Sequence, residues 1–219
     1  MNERYKSLNL PLIYPITDKV LAAKHSHLAI VRELVRGGAT LIQIRDRETP
    51  LRELLLDLRR CAEHCRKHNI RLIVNDRCDL ALGCGASGIH LGQDDLPPEA
   101  ARKLLGPQSI IGFSAHTLSQ IRQAAKLPIQ YLGFGPIYPT STKRDAPPAV
   151  GIDRLRRACR QSCLPVVAIG GIDIDTVPEV LGAGAASAAV ISAVMRHGSI
   201  ARAMNRLLLA AEKTGAGPE

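Results

Sequence analysis

Short apolar runs alternate along this chain with longer stretches in which apolar residues recur every three or four positions. The first run is Leu12–Ile16. Leu28, Val31, Leu34 and Val35 then follow at helical spacing until Gly37-Gly38 ends the stretch. Leu41–Ile44 is the second run, and Leu51, Leu54, Leu55, Leu58, Cys61 and Cys65 form the longest helical stripe. Further strand-like runs are Arg71–Val74, Gly88–Leu91, Ile110–Phe113, Tyr131–Phe134, Pro165–Ile169 and Ala186–Ile191. Helices are expected from Pro97, over Ser119–Ala125, Asp153–Arg160 and Thr176–Leu181, and around Ile200, Met204, Leu207 and Leu208.

Strands alternating with helices predict βαβ units and a parallel sheet. Eight strand–helix units in 219 residues favour one domain, residues 1–219, folded as a closed α/β (β/α)₈ TIM barrel. The polar end, Thr214–Glu219, reads as a disordered tail. In such barrels chemistry sits where strands end and loops begin. Polar clusters fall at those places: Thr17-Asp18, Gln43–Arg45, Asn75-Asp76, Asp94-Asp95, Ser114 and the loop after Phe134.

Composition narrows the function. A formal charge of +9 suits an anionic ligand. With 3% aromatics and no Trp, base-stacking platforms are disfavoured, so nucleic acid is not the expected partner. No apolar run is long enough to span a bilayer, and Met1–Leu10 lacks the apolar core of a signal peptide. A cytoplasmic enzyme without a membrane partner is expected, with the oligomeric state open and a homo-oligomer among the options. Cys61, His64, Cys65 and His68 share a helix face, but one helix cannot wrap a tetrahedral metal. Cys61 and Cys65 read as a buried stripe.

Gln43, Arg45 and Arg47 alternate along one strand and point to one face. Two guanidiniums and an amide make an anion clamp, since Arg offers paired donors to phosphate. The same residues would also serve salt bridges to Asp46, Glu48 or an acid of another strand. Asp76 follows the third strand and Asp94-Asp95 the fourth, and carboxylates on neighbouring strands can hold one Mg²⁺, which keeps waters and takes phosphate oxygens as further ligands. Helix capping is the other reading, and Asp95 before Leu96-Pro97 is placed for it. Gly133–Lys143 puts hydroxyls and a lysine in a loop after a strand, as a phosphate lid would. The whole connection, Gly135–Gly151, is long for a barrel, and a lid hinged at its two end glycines is expected. Gly170-Gly171 and Ile191-Ser192-Ala193 follow the last two strands, where barrels often bind phosphate.

Tyr14–Asp18, Gln43–Arg47, Asn75–Leu80, Gly88–Leu96, Ile111–Thr117, Gly133–Lys143, Val166–Ile172 and Ala189–Ala193 resemble the successive motifs of the thiamine phosphate synthase family, in family order. Gly133–Lys143 and His90–Asp95 are the most specific. The resemblance implies two phosphorylated small-molecule substrates, a pyrimidine diphosphate and a thiazole phosphate, joined with release of diphosphate. It implies that Gln43, Arg45, Arg47, Asn75, Ser114 and Lys143 hold the pyrimidine diphosphate, with Arg45, Ser114 and Lys143 catalytic. Asp76 and Asp95 would carry the cofactor, Mg²⁺. Thr140, Thr142, Gly171, Ile191 and Ser192 would meet the thiazole phosphate. In the family, diphosphate leaves first and the thiazole nitrogen captures a pyrimidine-methyl cation. Two departures stand out: Arg47 where the family usually carries Lys, and Tyr138 where it usually carries Phe, which puts a hydroxyl near the thiazole side. Two alternatives remain, a thiazole tautomerase-like isomerase and a non-catalytic phosphate-binding barrel. The tautomerase relative carries His at the position of Ser114, and a phosphate sensor leaves the paired carboxylates unexplained.

Overall fold

The computed structural model describes residues 8–24, 26–140, 142 and 147–213. The strands are β1 (Ile13–Thr17), β2 (Leu41–Ile44), β3 (Arg71–Asn75), β4 (Gly88–Leu91), β5 (Ile110–Ala115), β6 (Tyr131–Phe134), β7 (Val166–Ile169) and β8 (Ser187–Val190). They pair in parallel in sequence order, and β8 returns to β1 to close the barrel. The helices are α1 (His27–Arg36), α2 (Leu51–Lys67), α3 (Cys78–Cys84), α4 (Pro98–Leu105), α5 (Leu118–Ala124), α6 (Ile152–Gln161), α7 (Val177–Gly182), α8 (Ser192–Met195) and α9 (Ile200–Glu212). The expected (β/α)₈ barrel is present. No described helix is long and apolar enough to cross a membrane.

Two helices lie outside the sequence expectations. α8 holds four residues, about one turn, and α3 buries Cys78, Leu80, Ala81 and Cys84, a mostly small set that makes no clear apolar stripe in the sequence. The tail at 214–219 lies outside the described residues.

Closure of the sheet divides each strand into two faces. Tyr14, Ile16, Leu41, Ile73, Ile110, Tyr131, Val167 and Ala189 meet inside the barrel. The intervening residues, such as Ile42, Leu72, Ile111 and Leu132, pack outward with Leu34 and Leu58 of the helices. The two tyrosines fit inside because their neighbours are small. Gly112 is the register partner of Tyr131, and a Cβ there would fall 2.1 Å from Cζ of the Tyr131 ring. Gly112→Ala is therefore expected to cost roughly 1–3 kcal/mol through overpacking. Urea unfolding of parent and variant measures it, and equal midpoints would contradict this packing.

Candidate active site

The carboxyl ends of the strands open into a cavity of about 420 Å³. Gln43, Arg45, Arg47, Asn75, Asp76, Asp95, Ser114, Thr140, Thr142, Gly171, Ile191 and Ser192 all line it. Of the residues the sequence nominated, Lys143 lies outside the described residues, as do Ser141 and 144–146.

The cationic side is built on β2. Its chain direction carries Gln43 into the barrel and Arg45 and Arg47 onto the rim. Arg45 is half-buried, and its charge is disfavoured first by burial and next by the neighbouring Arg47. Two guanidiniums that disfavour each other mark a place where an anion is stabilised. Asp46, between them in sequence, turns the other way. Its carboxylate takes the His27 ring nitrogen at 2.9 Å, Lys19 at 3.1 Å and the Thr49 hydroxyl at 2.7 Å, besides the amides of Glu48 and Thr49. His27, fully buried, reaches Thr17 Oγ1 with its other ring nitrogen at 2.9 Å. Burial opposes the Asp46 charge, yet the His27 and Thr49 bonds outweigh it and hold the carboxyl well below the usual range. The buried knot fastens the turn after β2 to β1, so Arg45 and Arg47 leave a fixed base.

Opposite them stand the carboxylates. Asp76 follows β3 with φ of 62°, a left-handed conformation uncommon for a residue with a side chain. Its amide donates to the His90 carbonyl at 2.9 Å, which holds that geometry against β4. Asp76 Oδ2 receives Arg47 Nη2 at 2.9 Å. Asp95 Oδ2 receives the Gly92 amide at 2.6 Å. Neither carboxylate caps a helix, since α3 begins after Arg77 and α4 after Pro97 without side-chain caps. The Asp95 carboxyl is raised by burial and then by the Asp76 carboxylate beside it, against the Gly92 amide. A carboxyl whose charge is disfavoured by burial and a neighbouring carboxylate suits a cation. No group of three or more His, Cys, Asp or Glu among the described residues would hold a metal alone. Two carboxylates facing an open cavity still fit Mg²⁺, whose remaining places go to water and phosphate oxygens.

On the other side of the cavity, Gly171 follows β7 with φ of 66°, and a Cβ there would meet the Pro139 carbonyl oxygen at 2.6 Å. Only glycine allows both the backbone and the approach. The loop that was expected to hinge at Gly135 and Gly151 is tied at both ends. Ile137 and Tyr138 amides donate to Ile169 and Gly170, and the Val150 and Gly151 amides to Pro136 and Ile137. Gly135 serves close approach, because a Cβ there would lie 2.0 Å from the Ile169 carbonyl oxygen. The Tyr138 hydroxyl turns away from the cavity and donates to Glu179 of α7 at 2.7 Å. Cys61 and Cys65 are buried, as their stripe implied, and burial pushes the Cys65 thiol up to about 12.

The sequence did not single out the floor of the cavity, where Tyr14, His90 and Tyr131 lie. Their inward parity with Gln43 and Ser114 was the available signal.

A family model described as thiamine monophosphate synthase matches residues 13–194. The chain belongs to this family. It is 45% identical to a thiamine-phosphate synthase of Methanospirillum hungatei over 89% of this chain and 94% of that one. It is 42% identical to a thiamine-phosphate synthase of Albidiferax ferrireducens over 83% of each. Among solved structures, a thiamine phosphate pyrophosphorylase from Pyrococcus furiosus superposes with a TM-score of 0.85 at 36% identity, covering 94% of this chain and 98% of that chain. The family places the chain among the enzymes of thiamine biosynthesis.

His90 provides a pH test of the site's interior. It lies deep in the barrel, and burial pushes its ring down to about 4, against the pull of Asp95. An unfolded histidine titrates near about 6.5, so between these values only the unfolded chain binds the proton. Stability is therefore lost as pH falls from about 6.5 toward 4. Between pH 7 and 4.5 the parent should lose roughly 2–3 kcal/mol more than His90→Gln. Urea unfolding at both pH values reads the difference, and parallel losses would contradict a neutral His90.

Proposed function

We propose that this enzyme condenses 4-amino-2-methyl-5-hydroxymethylpyrimidine diphosphate with 4-methyl-5-(2-hydroxyethyl)thiazole phosphate to give thiamine phosphate and diphosphate. The observation that carries the reading is the meeting of Arg45, Arg47, Asp76 and Asp95 around one cavity. Paired carboxylates beside paired guanidiniums suit a diphosphate with its cation, and a simple phosphate receptor has no use for the acids.

Arg45 and Arg47 receive the diphosphate, with Asn75 and Gln43 beside them. Asp76 and Asp95 would hold Mg²⁺, which when bound supplies positive charge to the leaving diphosphate. Arg45, Ser114 and Lys143 donate to the oxygens on which charge grows as the carbon–oxygen bond breaks. Electrostatic stabilisation of that charge lowers the barrier. Thr140, Thr142, Gly171, Ile191 and Ser192 hold the thiazole phosphate, so that its ring nitrogen faces the electron-poor methylene carbon. The new carbon–nitrogen bond forms there, and no protein nucleophile takes part. Ser114 rather than histidine favours the synthase over a tautomerase, since a hydroxyl leaves room beside His90 for the larger substrate.

Mixing both substrates with Mg²⁺ and following diphosphate and thiamine phosphate together tests the reading. Equal formation of the two products is expected. Diphosphate release that ignores the thiazole phosphate, or no reaction at all, would overturn it. Asp76→Asn and Asp95→Asn are each expected to remove most of the turnover, and full activity in EDTA would exclude the metal role.

Arg47→Lys tests the family departure. Arg47 reaches Asp76 through one nitrogen, and its side chain is more than half exposed. A lysine can make one such contact, so the rate should change by well under tenfold, about 1.4 kcal/mol of barrier. A collapse would mean that both prongs of the guanidinium are used on the substrate.

A further inference from the structure

We propose that Gln43, Tyr14, Tyr131, His90 and Ser114 form one hydrogen-bond chain with a single direction, which makes the Ser114 hydroxyl a donor to the substrate and Tyr14 and Tyr131 positioning residues. The role given to the substrate rests on the synthase reading; the direction of the chain does not.

The chain crosses the floor of the cavity. Gln43 Nε2 donates to the Tyr14 hydroxyl at 3.1 Å. The Tyr14 and Tyr131 hydroxyls lie 3.0 Å apart. Tyr131 reaches His90 Nδ1 at 3.0 Å, and His90 Nε2 reaches Ser114 Oγ at 2.9 Å. It thereby joins β2, β1, β6, β4 and β5. Both tyrosines are buried, so no water replaces a missing partner. The fold makes room for the rings. The Tyr131 ring fills the place of a side chain at Gly112, and a Cβ at Gly133 would come within 3.1 Å of His90 Cε1. His90 and Tyr131 stack with ring centroids 5.5 Å apart, and Tyr14 meets Tyr131 edge-on at 6.0 Å.

Proton counting sets the direction. An amide nitrogen only donates, and each phenol has one proton. A neutral imidazole has one donor and one acceptor nitrogen. Tyr14 accepts from Gln43 and so gives its proton to Tyr131. Tyr131 then gives its proton to His90 Nδ1. The His90 proton is left on Nε2 and is given to Ser114 Oγ. The Ser114 proton has no place in the chain and points into the cavity. A fault at the two buried tyrosines would set two donors or two acceptors face to face away from water, which is costly. Rotating the Gln43 amide by half a turn is the one change that reverses every bond together, and it would make Ser114 an acceptor. A donor at Ser114 is what growing charge on a departing diphosphate oxygen requires, and the aligned bonds behind it strengthen it.

Nitrogen-15 NMR of protein labelled in its histidine rings reads the chain directly at pH 7.5. The His90 signals are identified by their loss in His90→Gln. A protonated Nε2 with a bare, accepting Nδ1 is expected. A proton on Nδ1, or on both nitrogens, would overturn the proposal even if the tyrosine variant does not fold. In Tyr131→Phe the partner of Nδ1 is removed, so both tautomers should appear. Turnover with saturating substrates should fall by about three- to tenfold, the loss of one hydrogen bond, with little change in either KM. A pure Nε2 tautomer in Tyr131→Phe would overturn the control by the tyrosine line, and mixed tautomers with parental turnover would overturn the donor role of Ser114. The ring signals need no substrate. A parent protein that makes no thiamine phosphate would therefore sink the synthase reading, while the tautomer still decides the chain.

Discussion

Closing eight parallel strands on one another sends every second side chain into a shared interior and brings every carboxyl end to one rim. Most features of this site follow from that constraint. Gln43 and Ser114 lie inside because parity puts them there, and Asp76 and Asp95 meet because β3 and β4 are neighbours. The site needs little else to be assembled. It needs the turns beyond the strands to be held, and the His27–Asp46 knot does this for Arg45 and Arg47.

The charges are arranged so that each sign crowds its own kind. Burial and then Arg47 disfavour the charge of Arg45, and burial and then Asp76 disfavour that of Asp95. Among the described residues one ion pair joins the two signs here, Arg47 to Asp76. A ligand carrying several negative oxygens together with a divalent cation relieves both sides together. This arrangement supports the metal-bound diphosphate of the proposed function.

Much of the fold was legible in the sequence because the strands are apolar runs such as Leu41–Ile44 and Tyr131–Phe134, bounded by glycine or polar residues. The helices α3 and α8 were not, since Cys78–Cys84 buries mostly small side chains and Ser192–Met195 is a single turn. The rim was legible for a similar reason: a charged residue directly after an apolar strand, as at Asp76, has little to do in the core. The floor was less so. A tyrosine in a strand reads as core, and only the positions of Gly112 and Gly133 against Tyr131 and His90 show that the rings were given room for polar contacts. The ends of the β6–α6 loop also read differently in space, where close approach to Ile169 explains Gly135 better than a hinge does.

The central claim is that the cations and the acids form one site for a metal-bound diphosphate. Calorimetric titration of inorganic diphosphate into the enzyme, with Mg²⁺ and again with EDTA, tests it most directly. Binding in Mg²⁺ that weakens at least tenfold in EDTA, a difference of about 1.4 kcal/mol, is the expected result. Equal affinity in both would show that the guanidiniums bind the anion without the carboxylates and would contradict the account.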